Sequence, residues 1–261
     1  MADAARGDSR SWVTTRGRLR VPEITALFWV IKGLSTAMGE ATSDYLVHVM
    51  LPELAVLIGF AMFLIALLVR IRTGRYVAWS YWFAVVMVGV FGTMAADVLH
   101  VGFGVPYTAS TIFYGLCLIA VFVAWYLTER TLSIHSIDTP RREAFYWAAV
   151  VATFAMGTAL GDFTATTLDL GYLPSAVLFA AIIGIPALGW RLLRWNSILC
   201  FWLAYVVTRP LGASIADWLG KPRVSTGLGY GDGIVALVFG LLIVALVAVL
   251  AITRLDVQRE V

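Results

Sequence analysis

Residues 28–44 read FWVIKGLSTAMGEATSD, and the same frame returns as YWFAVVMVGVFGTMAAD at 81–97, YWAAVVATFAMGTALGD at 146–162 and FWLAYVVTRPLGASIAD at 201–217. In every copy an aromatic residue precedes a tryptophan: Trp29, Trp82, Trp147 and Trp202. A glycine follows each Trp by ten positions (Gly39, Gly92, Gly157, Gly212), and an aspartate by fifteen (Asp44, Asp97, Asp162, Asp217). Agreement of three residue types at fixed offsets in four copies is not chance. The chain is therefore read as a repeat array before any other motif is weighed.

The surroundings of each copy fix the kind of array. Of 261 residues, 61% are hydrophobic and 13% charged, against about 45–50% apolar and about 25% charged in ordinary soluble domains. A soluble enzyme is excluded, and lipid is the expected solvent. Eight mostly apolar stretches, near 24–48, 51–71, 77–100, 108–128, 143–166, 172–194, 197–219 and 231–253, each reach the about 20 residues a spanning helix requires. The expectation is an all-α integral membrane protein of eight transmembrane helices, arranged as four two-helix units.

The net charge of +3 does not signal a nucleic-acid partner, because the basic residues lie in short clusters between the apolar runs. Fifteen of the Lys and Arg fall in the first 20 residues, the 2–3, 4–5 and 6–7 connections and the C-terminal end. The opposite connections hold only Lys221 and Arg223. By the positive-inside rule both termini are cytoplasmic and the number of spans is even. The four units then enter the membrane in the same direction, as parallel repeats about an axis along the membrane normal. The division is a basic tail 1–20, repeats at 21–76, 77–142, 143–195 and 196–254, and a C-terminal tail 255–261, in one membrane domain. The first apolar stretch is too long for a cleavable signal peptide, and a compact, Arg-rich chain of this kind points to a bacterial inner membrane. Cys117 and Cys200 both lie in apolar segments, so no disulfide framework is expected.

At about 100° per residue, positions 7, 11 and 15 after each Trp share its helix face. The four stripes are Trp29, Thr36, Glu40, Asp44; Trp82, Gly89, Thr93, Asp97; Trp147, Phe154, Thr158, Asp162; and Trp202, Arg209, Ala213, Asp217. Charges facing lipid cost at least about 2.5–3.5 kcal/mol, so these stripes are expected to face inward. Either the odd helices surround one axis, or the chain forms two four-helix halves. Asp44, Asp97, Asp162 and Asp217 stand about 22 Å of helix rise beyond the Trp, near the extracytoplasmic end. Together with Glu40 they are the candidate ion-binding residues; the bland alternative is a set of interfacial acids. Lys32, Arg209 and Thr36 are candidates for gating or charge pairing, because Glu40, Lys32 and Arg209 break the fourfold pattern and intramembrane charges pair. His48 and His100 follow Asp44 and Asp97 by four and three residues, which is a weak signal for a metal. The Trp are read as structural and the glycines at +10 as close-packing points.

The block Val21-Pro22-Glu23-Ile24-Thr25, followed by Phe28-Trp29, Lys32, Leu34-Ser35-Thr36 and Gly39-Glu40, resembles the uncharacterised bacterial membrane-anchored proteins built from four tandem two-span repeats of unknown function with a characteristic tryptophan. That resemblance spans roughly residues 21–253 and implies the fold and repeat count, and no activity.

Function is left to the residues. A secondary transporter of a cation is expected, proton-coupled, with a divalent metal among the candidate substrates. The alternatives are a non-transporting scaffold or sensor and, third, a membrane-embedded enzyme acting on a lipid or quinone. No nucleophile–base set, paired-His helix or phosphate loop is evident, so the chain is not read as an enzyme and no cofactor is expected. The expected partners are the bilayer and a small cation or proton.

Overall fold

The computed structural model describes residues 19–258; the Arg residues of the basic tail before Leu19, and Arg259, lie outside that range. Eight α-helices follow one another: α1 (Ala26–Val49), α2 (Pro52–Thr73), α3 (Ala78–Asp97), α4 (Tyr107–Glu129), α5 (Pro140–Asp162), α6 (Tyr172–Leu193), α7 (Ser197–Gly220) and α8 (Asp232–Thr253). No strand occurs among the described residues. The starts obey local chemistry: Thr25, Thr139 and Asn196 accept hydrogen bonds from the first free backbone N–H groups of α1, α5 and α7, which would otherwise be orphaned.

The ends of the even helices share a device. Gly74, Arg130, Arg194 and Arg254 each adopt the left-handed conformation just past α2, α4, α6 and α8. Glycine does this freely. An arginine there is strained, and its cation offsets part of that cost against the negative end of the helix dipole.

Seven helices are long and apolar enough to cross a membrane, α2 to α8. The first does not meet that standard, because Lys32, Glu40 and Asp44 lower its apolarity. All three of those side chains are buried, so α1 carries its charge toward protein.

The layering follows from burial. In α3, α5 and α7, 50–67% of the most apolar window is buried, against 11–28% in α2, α4, α6 and α8. The four odd helices close a ring in the order α1, α3, α5, α7 and back to α1, with the even helices around it. Each even helix packs chiefly on the odd helix of the following unit: α2 on α3, α4 on α5, α6 on α7, and α8 back on α1. The two helices of a sequence repeat are thus not the tight spatial pair. The interlocking runs between units and closes the circle.

The glycines set the ring's diameter. A Cβ on Gly39 would lie 2.8 Å from the backbone of Gly89 in α3, and one on Gly92 would lie 2.9 Å from Cβ of Phe154 in α5. One on Gly157 would lie 2.7 Å from Cβ of Arg209 in α7, and one on Gly212 would strike Thr36 in α1. Every +10 glycine therefore meets the +7 residue of the next odd helix, four times around. Backbones approach this closely only where a side chain is missing.

The aromatic ends of the odd helices meet in one cluster. Trp82, Trp147 and Trp202 are buried in the main core and Trp29 packs at its edge. Trp202 donates its indole N–H to the Leu132 carbonyl at 2.9 Å. The hydroxyls of Tyr81 and Tyr146 bond to each other. Just beyond them, buried Glu143 takes Arg20 at 2.6 Å and buried Arg70 at 3.2 Å. A carboxylate in the first turn of α5 also suits the positive end of that helix's dipole. Arg20 precedes α1 and Arg70 lies in the last turn of α2; Glu143, far off in sequence, gathers both.

Candidate functional site

Above the aromatic cluster the stripes come together layer by layer. At the +7 and +11 levels Arg209 lies fully buried and its Nη2 donates to Glu40 Oε2, Thr93 Oγ1 and Thr158 Oγ1. Those three acceptors are the +11 residues of the first three copies. Thr93 also donates to Glu40 at 3.2 Å. One guanidinium thus ties four odd helices at a single level. Its Nε and Nη1 are buried and form no hydrogen bond with another described residue. Of the two cations weighed as partners for Glu40, Arg209 holds it.

Lys32 does not join an ion pair among the described residues. Its ammonium end is completely buried, without a hydrogen bond, and sits 4.2 Å from the ring centre of Phe154 and 4.4 Å from that of Tyr205. Two ring faces take the place of a carboxylate. Thr36 is likewise a packing residue: its hydroxyl donates to Gly33 at 2.7 Å and lies 3.4 Å from the Thr208 carbonyl, where α1 meets α7.

One turn beyond, the aspartates cluster. Ligand oxygens of Glu40, Asp162 and Asp217 all lie within 4.8 Å of one another. Asp97 stands within electrostatic range of Asp162, Glu40 and Asp44, and of the Arg209 guanidinium. The fourth aspartate, Asp44, pairs with Lys221, whose Nζ is also 4.0 Å from Asp217. Among the described residues neither Arg209 nor Lys221 bridges Asp97 or Asp162. Five carboxylates therefore face two cations.

Asp97 and Asp162 occupy a junction that hydropathy does not reveal. Immediately after them the chain widens into π-helical turns, Val98–Gly102 and Phe163–Thr167. Such turns break the regular ladder and recur at functional positions. In α1 and α7 the equivalent acids lie within unbroken helix. The pairs of facing units therefore differ at this level.

Lys221 is the residue that sequence reasoning misses. It follows α7 and reads as a loop charge, yet it closes the seam between the first and last copies. Burial works to lower its pKa, but the Asp44 and Asp217 carboxylates outweigh this and raise it above the ordinary lysine value. A raised folded-state value means that its contribution to stability is complete below the ordinary lysine pKa and is lost only as pH rises through the folded one. Lys221→Met is expected to cost about 1 kcal/mol, between an exposed and a buried pair. The loss in melting temperature relative to wild type should be the same at pH 7 and pH 9. A loss that shrinks over this interval would mean that the lysine has already given up its proton.

The histidines stand apart from the acids' oxygens. His48 Nδ1 donates to the Asp44 carbonyl at 2.6 Å, and His100 Nδ1 to the Val105 carbonyl at 2.8 Å, with its ring stacked on Tyr107. Neither belongs to the group of close ligand atoms. What the odd helices gather is an all-oxygen set, carboxylates with two threonine hydroxyls beside them.

The family model described as "Repeat of Unknown Function (DUF347)" matches residues 80–131, 145–194 and 200–256, more than half of the chain. The chain belongs to this family. The three matched segments begin in α3, α5 and α7, and each takes in the even helix that follows. Residues 21–76 lie outside them and carry the remaining copy of the Trp, Gly and Asp frame, which also supplies Glu40 and Lys32. No curated protein and no solved structure was found to match.

Proposed function

We propose that this member of the repeat family is a secondary transporter that binds a hard cation at Glu40, Asp162 and Asp217 and couples its passage to protons. The observation that carries this reading is the charge imbalance: five inward carboxylates with two cations between them, inside a ring of helices. Uncompensated like charges in a low-dielectric interior are costly, and a bound cation or shared protons relieve that cost. An oxygen-only donor set suits Mg²⁺, Mn²⁺ or Ca²⁺ better than softer metals. This narrows the metal reading and removes His48 and His100 from it.

In this account all eight helices span a bacterial inner membrane. The units run parallel about the membrane normal, both termini are cytoplasmic, and the acids lie toward the outside. Lipid and the cation are the partners; no catalysis and no cofactor are invoked. Transport fits the ring better than an open pore does, because Arg209 crosses the axis at the level of Glu40.

One observation favours a different reading, a non-transporting scaffold or sensor: Glu40 and Asp44 are already paired, with Arg209 and Lys221. Flux separates the two. In proteoliposomes the wild type is expected to move Mn²⁺ or Mg²⁺ down an imposed gradient and to shift internal pH as it does so. Asp162→Asn, folded and oriented as the wild type, should reduce the flux to background. A silent wild type would leave the acids as structure and favour the scaffold reading.

A further inference from the structure

Lys32 is buried outside the proposed cation site and, unlike buried Arg70, which meets Glu143, it joins no ion pair among the described residues. The +3 position it occupies is Val85, Val150 and Tyr205 in the other copies, so the fold itself does not ask for an amine there. It is also an odd place to leave one. The Nζ is fully buried, finds no acceptor among the described residues and lies against the rings of Phe154 and Tyr205. Ring faces attract a cation, but they do not replace the full hydration that an ion loses on leaving water.

Its neighbours supply a reason. The Arg209 guanidinium lies 5.4 Å from the centre of the same Phe154 ring, so two basic groups share one aromatic side chain, Lys32 on the side of the tyrosines and Arg209 on the side of the acids. Around Lys32 the groups that carry or exchange protons are Arg209 and Tyr205 from α7, Glu40 two turns along its own helix, and, in the aromatic layer next to it, the bonded hydroxyls of Tyr81 from α3 and Tyr146 from α5. The Tyr205 hydroxyl is buried and forms no hydrogen bond with a described residue. An amine that keeps no hydrogen bond can gain or lose a proton without breaking one.

We propose that Lys32 carries the coupled proton: a cation arriving at Glu40, Asp162 and Asp217 displaces Arg209 toward Phe154, and the ammonium of Lys32 releases a proton to the tyrosine side. The N–H bond breaks, its electron pair stays on Nζ, and the proton passes to water at the aromatic end of the ring. Departure of the cation lets Arg209 return to Glu40, and Lys32 takes up a proton from water on the side of the acids, so each cycle carries one proton from the acid end to the aromatic end. The proposal rests on the cation-transport reading and adds the group that links the two fluxes.

The test uses the full chain in proteoliposomes, with Mn²⁺ as probe. Two signals are read: Mn²⁺ exchange at equal concentrations on both sides, and the pH change driven by a Mn²⁺ gradient. Lys32→Met is expected to keep exchange and to lose the proton signal by about a hundredfold, the lower range of what a positioned proton-transfer group supplies. Lys32→Arg keeps a cation against the rings but cannot give up its proton, and should lose the signal equally. If Lys32→Met does not fold, Lys32→Arg decides alone. A coupled pH change of wild-type size in Lys32→Arg would overturn the proposal and assign Lys32 to structure, with the transport reading intact. Absence of Mn²⁺ exchange in the wild type would instead remove that reading, and this one with it.

Discussion

Replacing Arg209 by Met is expected to lower the stability of the purified protein by about 3–5 kcal/mol, because it leaves Glu40 as a buried charge without a counter-ion. Glu40 is only 3% exposed and Arg209 not at all, so water cannot reach in to compensate without opening the ring. Thr93 and Thr158 lose a shared donor in the same step. Pairing the change with Glu40→Gln removes the orphaned charge, and the double variant should recover most of the loss. Unfolding followed by intrinsic tryptophan fluorescence in one detergent gives all three values. Equal losses in the single and double variants would mean that the guanidinium acts through its bulk and not through its charge.

Gly39→Ala is the second large expectation, at about 1–3 kcal/mol or more of destabilisation, the range seen when a packed interior is overfilled. The added methyl would stand 2.8 Å from Cα and C of Gly89. Backbone cannot swing aside as a flexible side chain can, so α1 and α3 must separate. Separation at one seam loosens all four, since each +10 glycine is seated on the next helix in turn. Gly33 lies on the same helix, but a methyl added there would have nothing within 4 Å, and Gly33→Ala should be neutral or stabilising by up to about 1 kcal/mol. If both substitutions have the same effect in thermal unfolding, close packing against Gly89 does not account for the glycine at 39.

The ring was legible in the sequence because its determinants recur at fixed offsets. Trp at zero, Gly at ten and Asp at fifteen share a helix pattern that repeats at Trp29, Trp82, Trp147 and Trp202, and periodicity of that kind survives without tertiary knowledge. The inward direction of Glu40 and Arg209 followed from the cost of placing charge in lipid. Long-range pairing was not legible. Glu143 gathers Arg20 and Arg70 across gaps that no local rule spans. Lys221 has the look of a loop residue until α7 and α1 close the ring and bring Asp44 to it. The π-helical turns after Asp97 and Asp162 leave hydropathy unchanged, so nothing in the apolar count could mark them. His48 and His100 share a face with their aspartates by spacing, but backbone carbonyls have the nearer claim on both rings.

The central claim, that the converging carboxylates hold a cation, is tested most directly by Mn²⁺ binding to the purified protein, followed by electron paramagnetic resonance. The wild type should bind Mn²⁺ saturably, with competition by Mg²⁺ or Ca²⁺, and Asp162→Asn together with Asp217→Asn should abolish the bound signal while the protein stays folded. A wild type that leaves the Mn²⁺ spectrum that of the free ion, or a double variant that binds as the wild type does, would contradict the claim.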